Sequence, residues 1–381
     1  MRILPLLVLA FATLSAQAAP PVVSNVRASQ RAGTHTVDIY YNVSSANSPL
    51  TVYVAISADG GTTWNVPVFT TQGAVGPGVT PGNDRHIQWN AGTDWPGQFN
   101  SQCRLRITAD DGTAPPAPTG MAYIPGGAFQ MGDPFNEGGT SELPRHAVYI
   151  SSMFMDKFDV TRELWLDVYT WALANGYQFD NVGSFNGANH PVQTVNWYDA
   201  VKWCNARSER AGLAPCYYTT AAQTTLYRTG QFNPDNSCVK WTANGYRLPT
   251  EAEWEKAARG GLAGMRYPWG NSLSCTNANY SGCGPNTTTP VNAYAPNGYG
   301  LYDMAGNVWQ WCWDWYDGNW YGNYQAILDD TLGPASGSSR LLRGGNWING
   351  AFNLRCAVRD YYLTPSYAYY VVIGFRCVRG L

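Results

Sequence analysis

The chain has 381 residues, a formal net charge of −2 and only 13% charged residues. That length allows two domains, and a charge so close to zero gives no electrostatic basis for binding nucleic acid or an anionic membrane. Its 16 Trp, 25 Tyr, 40 Gly and 24 Pro are typical of a loop-rich fold packed around aromatic side chains. The composition argues against a helical bundle.

Residues 1–18 have the pattern of a secretory signal peptide: a basic residue, an apolar run over 3–14, and small residues before Ala19. Because position 19 is not cysteine, no lipid anchor is predicted there. No later apolar run reaches the roughly 18 residues that a membrane span needs. We therefore expect a protein that is secreted, periplasmic or at the cell surface.

Residues 19–111 contain short alternating runs separated by Gly, Pro, Asn and Asp, as in residues 35–43, 50–57 and 104–108. This pattern predicts a small all-β sandwich of immunoglobulin or fibronectin type. Residues 57–64 resemble the Asp-box turn of sialidases, but that turn recurs from blade to blade in propellers. A single copy indicates a turn and no sialidase function.

Residues 112–120 are rich in Pro and Gly and are predicted to be a linker before a second domain over 121–381. Three helices are expected in that domain. Their predicted capping residues are Thr161, Asn196 and Thr250, and their predicted stops are Gly176, Gly212 and Gly260.

The second domain carries a series of ordered motifs. These motifs lie at residues 125–132, 158–161, 191–197, 245–255, 267–271, 297–311, 343–347 and 373–377. In this order they resemble the landmarks of the formylglycine-generating enzyme (sulfatase-modifying factor) family. The resemblance implies an α+β fold with low regular secondary structure and a C-type-lectin-like core, preceded here by the all-β sandwich. A shared fold does not by itself imply the family's reaction.

The family's enzymes oxidise a sulfatase cysteine with copper(I) held by two thiols near the C-terminus, because this soft ion prefers thiolates. Asn349 stands at the position that matches the first thiol, and residues 350–354 contain no sulfur. The resemblance therefore implies no catalytic residue and no copper site. The oxidative branch that uses a His-rich iron site is also unsupported, since the four histidines His35, His86, His146 and His190 are widely scattered.

Residues 303–310 match the family's structural calcium loop. The resemblance implies ligands from the side chains of Asp303 and Gln310 and from the carbonyls of Gly306 and Val308. Oxygen donors suit a hard cation, although Gln310 replaces the usual glutamate and so removes one charge. Calcium is thus the expected cofactor.

Nine cysteines in an exported chain predict disulfides, but eight paired cysteines allow 105 pairings. The family resemblance implies a Cys204–Cys377 bridge and leaves Cys356 without its usual partner, because Ala258 stands there. Cys356 is then expected to pair with Cys312. Cys216–Cys238 and Cys275–Cys283 would each close a local loop, and Cys103 is left over.

Residues 347–372 are rich in aromatic and apolar side chains between the family landmarks. They resemble the diversified C-terminal segment of the target proteins of diversity-generating retroelements. Tyrosine offers large amphipathic contact area at low entropic cost, so this segment is predicted to bind a ligand. The predicted ligand-binding residues are Trp347, Asn349, Phe352, Leu354, Val358, Asp360, Tyr361, Tyr362, Tyr367, Tyr369 and Tyr370.

Two other interpretations of this segment stay open. Its apolar residues would also suit a purely structural core. Its arginines suit either recognition of carboxylate or sulfate groups or structural ion pairs at the family landmarks. The sequence as a whole favours an exported binding protein for an unknown protein or glycan. The alternatives are an oxidoreductase that acts on protein or peptide thiols through a non-standard metal site, and a structural component of an envelope or matrix.

Overall fold

The computed structural model describes residues 21–381 except 59, 61–65, 67, 69, 99, 114, 362 and 369–371. The predicted signal peptide and most of the Asp-box turn lie outside these residues. The chain divides after Thr113 into two compact units. No helix in the described part is long and apolar enough to cross a membrane.

The first unit is a sandwich of two antiparallel sheets, with strand orders β1-β2-β6-β4 and β5-β3-β7. Its strands are β1 (Val22–Gln30), β2 (Thr36–Ser44), β3 (Leu50–Ser57), β4 (Thr71–Gly73), β5 (Gly76–Val79), β6 (Gly82–Asn90) and β7 (Arg104–Asp110). A short helix, α1 (Ala91–Asp94), follows β6. Alternation along β2 buries Ile39, Tyr41 and Val43 between the sheets, because successive side chains of a strand point to opposite faces.

The second unit combines three helices with eight short strands. The helices are α2 (Arg162–Ala174), α3 (Trp197–Arg210) and α4 (Glu251–Ala258). The strands are β8 (Met121–Ile124), β9 (Gly127–Met131), β10 (His146–Ile150), β11 (Met153–Asp156), β12 (Trp309–Trp315), β13 (Arg340–Arg343), β14 (Ile373–Gly374) and β15 (Val378–Arg379). They form sheets of order β10-β9, β15-β11-β8 and β13-β12-β14.

Side-chain caps begin all three helices where the sequence predicts. The side chains of Thr161 and Asn196 accept hydrogen bonds from Leu164 N and Asp199 N. Thr250 and Glu253 form the predicted capping box, in which each side chain accepts from the other's backbone N–H. The predicted helix starts are therefore confirmed.

Tryptophan packing holds the second unit together. Trp165 and Trp203 stack with their ring centroids 5.8 Å apart, and Trp197 and Trp313 pack nearby. Buried indole N–H groups find backbone acceptors, such as Trp197 Nε1 on the Cys312 carbonyl at 2.9 Å. Aromatic burial with satisfied N–H groups explains how a domain with little regular structure keeps one conformation.

Candidate functional site

The loop after β13 contains Asn349, which stands at the position that matches the first thiol of the family's enzymes. Asn349 Oδ1 accepts a hydrogen bond from Asn346 N at 3.2 Å, and Asn349 N donates to Asn346 Oδ1 at 3.2 Å. The Asn349 carbonyl also accepts from Ser281 N at 2.9 Å. The amide at this position therefore closes a turn, a hydrogen-bonding role for which it is suited.

The segment that follows alternates between anchored and exposed residues. Within the 3-10 helix Ala351–Leu354, Phe352 is 55% exposed whereas Leu354 is fully buried. Leu354 packs in a small cluster with Tyr267, Ala278 and Ala305. One turn of chain thus supplies both a surface group and a core group.

The structure corrects two of the predicted ligand-binding residues. Leu354 is buried in that small cluster, and Val358 is 7% exposed and packs in the large tryptophan core. Neither side chain is available to a ligand because core packing already covers it. For these two positions the core interpretation is the right one.

The other described residues of the predicted set are at least partly accessible. Ile348, next to them, is 53% exposed, and Trp347, Asn349, Asp360, Tyr361 and Tyr367 are half-buried. Tyr361 stacks on Tyr316 with ring centroids 3.9 Å apart. Tyr362, Tyr369 and Tyr370 lie outside the described residues. We call the exposed Ile348 and Phe352, together with the half-buried Trp347, Asn349, Tyr361 and Tyr367, the segment face.

Buried ion pairs hold the framework under the segment face. Arg355 donates to both carboxylate oxygens of Glu142 at 2.8 and 3.0 Å. Arg359 binds Glu251 in the same way at 2.6 and 3.0 Å. Two-pronged contacts of this kind fix an arginine in one geometry. The structure therefore supports structural ion pairs for these landmark arginines over recognition of an external anion.

An aromatic cluster beside the segment face was not predicted from the sequence. The Arg266 guanidinium lies 3.6 Å from the ring centroid of Phe135, which is 38% exposed, and that of Arg355 lies 4.2 Å from the ring of Phe352. Glu137 joins the two arginines, with its Oε1 2.7 Å from Arg266 Nε and 3.9 Å from Arg355 Nε. The segment face therefore continues onto Phe135, which no local sequence pattern marks.

The predicted calcium loop is buried, and one of its four predicted ligands does not fit the role. Asp303 has a left-handed backbone (φ 53°), and its Oδ2 is buried without a hydrogen-bond partner in the structure. Burial and the nearby Asp159 carboxylate raise the pKa of Asp303 well above its usual value. A buried carboxylate in such surroundings suits a cation, so Asp303 fits as a calcium ligand.

Gln310 does not fit this role in the structure. Its Oε1 accepts hydrogen bonds from Trp254 Nε1 at 2.7 Å and Arg376 Nε at 2.8 Å, and its Nε2 donates to the Asp303 carbonyl at 2.8 Å. An oxygen that already accepts from two donors, one of them cationic, is a poor cation ligand. The prediction of Gln310 as a ligand is corrected on this ground. Gly306 and Val308 are buried in the loop beside Asp303, and their carbonyls stay predicted ligands.

The structure contains the Cys275–Cys283 disulfide. Cys204 Sγ and Cys377 Sγ lie 3.5 Å apart in the core and are thiols in the structure. Cys216, Cys238, Cys312 and Cys356 are also buried thiols. Bridges for these six residues stay predictions of the sequence.

Comparison with known proteins assigns the second unit to a class and a family. Its class is the α+β, C-type-lectin-like fold of the formylglycine-generating enzymes. Residues 109–381 match the model of the sulfatase-modifying factor enzyme 1-like domain, and the chain belongs to that family. The fold and the family implied by the sequence motifs are confirmed.

The relatives include a formylglycine-generating enzyme and protein kinases. A formylglycine-generating enzyme of Thermomonospora curvata is 35% identical over 293 residues, which cover 68% of this chain and 92% of the relative. The serine/threonine-protein kinase pkn1 of Chlamydia pneumoniae is 34% identical over 283 residues, which cover 70% of this chain and 39% of the relative. The chain thus spans about two fifths of the length of the chlamydial relatives that it matches.

A solved structure also matches the second unit. Treponema denticola variable protein 1 aligns with a TM-score of 0.56 and 31% identity, over 68% of this chain and 95% of that one. This match supports the predicted resemblance of the C-terminal segment to that of variable proteins.

Proposed function

We propose that the protein is an exported ligand-binding protein, that the segment face and Phe135 form its binding surface, and that it does not generate formylglycine. The observation that carries this proposal is that residues 347–372 contain both buried framework residues and exposed apolar residues. Their landmark arginines are buried in ion pairs, while Ile348 and Phe352 are more than half exposed. Phe352 also lies near the exposed Phe135, to which Arg355, Glu137 and Arg266 connect it. Contiguous exposed apolar groups are typical of binding surfaces, whereas single ones are not.

The framework under this surface is stiff. Arg355 and Arg359 tie the segment to Glu142 and Glu251, which precede it by 213 and 108 residues. Affinity rises when a binding surface is already ordered in the free protein, because less entropy is lost on association. Ring-bearing side chains on such a framework provide the contact area that a protein or glycan ligand requires.

The proposed lack of formylglycine generation rests on coordination chemistry. Copper(I) prefers soft thiolates, and the side chain at position 349 is an amide whose oxygen accepts from Asn346 N. The enzyme of Thermomonospora curvata is a relative in sequence, and that relation does not transfer its reaction.

A binding experiment tests the surface. The full chain is screened on a glycan array and against a phage-displayed peptide library, and each partner found is titrated by surface plasmon resonance. We expect Phe352→Asp and Ile348→Asp to weaken binding at least about tenfold, since each places a charge in an apolar contact. Leu173→Asp is the matched control, because Leu173 on α2 is 50% exposed and lies outside the surface.

Partners that bind the Ile348→Asp/Phe352→Asp double variant as tightly as the unaltered chain would contradict the proposed surface. Thermal unfolding of each variant shows whether the fold survives.

The DNA around the gene tests genetic diversification separately. The resemblance predicts a second, similar copy of the sequence that encodes residues 347–376, differing at adenines and lying beside a reverse transcriptase gene. If no such copy is present, the binding segment is not diversified, and the protein is proposed to bind a single kind of ligand.

A further inference from the structure

The first unit has an open inner face that its two sheets do not cover. In β1, Ala28 pairs with Ile39 and Gln30 pairs with Val37. Directly paired residues of antiparallel strands share a face, and Ile39 is fully buried, so Ala28 and Gln30 point between the sheets. Both residues are nevertheless exposed. Within the described residues β7, the edge of the opposite sheet, pairs with β3 alone.

This opening leads into a cavity of about 870 Å³ at one end of the sandwich. Its wall on the core side is apolar, with the half-buried side chains of Val37, Trp95 and Leu105 packed against the core. The inner wall therefore offers carbon surface to a ligand, in a volume typical of small-molecule sites.

The mouth of the cavity is basic. Among its described lining residues there is no Asp or Glu, whereas Arg27, His35 and Arg104 all line it. Arg27 is bonded to Asp84 at 2.7 Å. Arg104 is exposed, and its Nη1 donates to the Cys103 carbonyl at 2.9 Å. A ligand that enters therefore meets positive charge, and none of the described lining residues is a carboxylate that would compete for that charge.

We propose that this cavity binds a small amphipathic carboxylate, such as a medium-chain fatty acid. The apolar chain packs against Val37, Trp95 and Leu105, and the carboxylate lies against the Arg104 guanidinium, whose planar N–H groups match two carboxylate oxygens. Apolar burial supplies most of the affinity, and the guanidinium selects the charged head. This site is independent of the segment face.

Isothermal titration calorimetry of the full chain with decanoate tests the proposal. We expect saturable binding with one site, and at least about tenfold weaker binding of 1-decanol, which lacks the charge-assisted hydrogen bonds. No saturable binding of decanoate, or equal binding of the two compounds, would overturn the proposal.

Three variants locate the site. Arg104→Glu should weaken decanoate binding at least about tenfold and leave 1-decanol binding unchanged. Arg31→Glu makes the same charge change outside the cavity lining and should bind decanoate as the unaltered chain does. Ala28→Trp fills the opening and should abolish binding of both compounds.

Decanoate affinity that is unchanged in Arg104→Glu would overturn the assignment. Because Arg104 is exposed, that variant is expected to fold, and it therefore decides the matter even where Ala28→Trp does not fold.

Discussion

At the scale of single residues, two side chains at predicted site positions make structural hydrogen bonds. Asn349 closes a turn with Asn346, and Gln310 joins Trp254 to Arg376. Asp303 keeps a buried oxygen without a hydrogen-bond partner. Of these three residues, only Asp303 therefore has a side-chain oxygen left for a cation.

Asp303 is the residue on which calcium binding should depend. We expect calcium chloride to raise the unfolding temperature of the unaltered chain relative to EDTA, because an ion that binds only the folded state stabilises it. Asp303→Asn should remove most of this rise, since it deletes the one carboxylate of the loop. Differential scanning calorimetry with and without calcium measures the effect. An equal rise in both proteins would show that calcium binds elsewhere.

Asp314 should make stability depend on pH. Burial, and then the neighbouring Glu251 carboxylate, raise the pKa of Asp314 to about 8. Above about pH 4 the unfolded chain has lost this proton, while the folded chain keeps it up to about pH 8. Over that window this group lowers the free energy of unfolding as pH rises, by at most about 1.4 kcal/mol per pH unit.

Asp314→Asn should therefore be more stable than the unaltered chain at pH 8 and gain little at pH 4. Asp84→Asn, which changes an exposed carboxyl in the first unit, is the control for the loss of a charge. Urea denaturation at the two pH values measures the difference. A variant that is less stable at pH 8 would show that the Asp314 carboxylate is needed in its ionised form.

At the scale of elements, the 3-10 turn Ala351–Leu354 and the chain after it contain some residues that stabilise the fold and others that are exposed to solvent. Arg359 is buried against Glu251, whereas Phe352 is 55% exposed. Substitutions at the two positions should therefore have very different effects on folding.

Arg359→Met should cost about 3–5 kcal/mol of unfolding free energy, because it leaves the Glu251 carboxylate buried without this cation. Phe352→Asp should cost less than about 1 kcal/mol, since it loses only a partly exposed ring contact with Arg355. Chemical denaturation of both variants gives the comparison. Equal losses would mean that Phe352 is part of the framework and not of the binding surface.

The helix starts were predictable from the sequence because a capping side chain bonds to backbone groups only a few residues away. Thr250 and Glu253 satisfy each other's backbone N–H within one turn, so the sequence alone carries the signal. The opposite burial of Phe352 and Leu354 was not predictable, because it depends on Tyr267 and Ala278, which are distant in sequence.

At the scale of the whole molecule, the ordered motifs predicted the fold and the family, because each motif marks a turn or a buried contact of the framework. The sites were less predictable. The Arg355–Glu142 pair joins residues 213 apart, and Phe135 reaches the segment face through Glu137 and Arg266. The cavity of the first unit depends on which strand faces are left uncovered, and that is a property of the assembled sheets.

We expect that the amide at position 349 does not hold copper(I) for catalysis, because this soft ion prefers thiolates. The most direct measurement is oxygen uptake by the copper(I)-treated full chain with a cysteine-containing, sulfatase-derived peptide, alongside the Thermomonospora curvata enzyme as the positive control. We predict no uptake that depends on the peptide. Stoichiometric copper(I) that is lost in Asn349→Ala, together with conversion of the peptide cysteine to formylglycine, would show that the protein generates formylglycine with a copper site at Asn349.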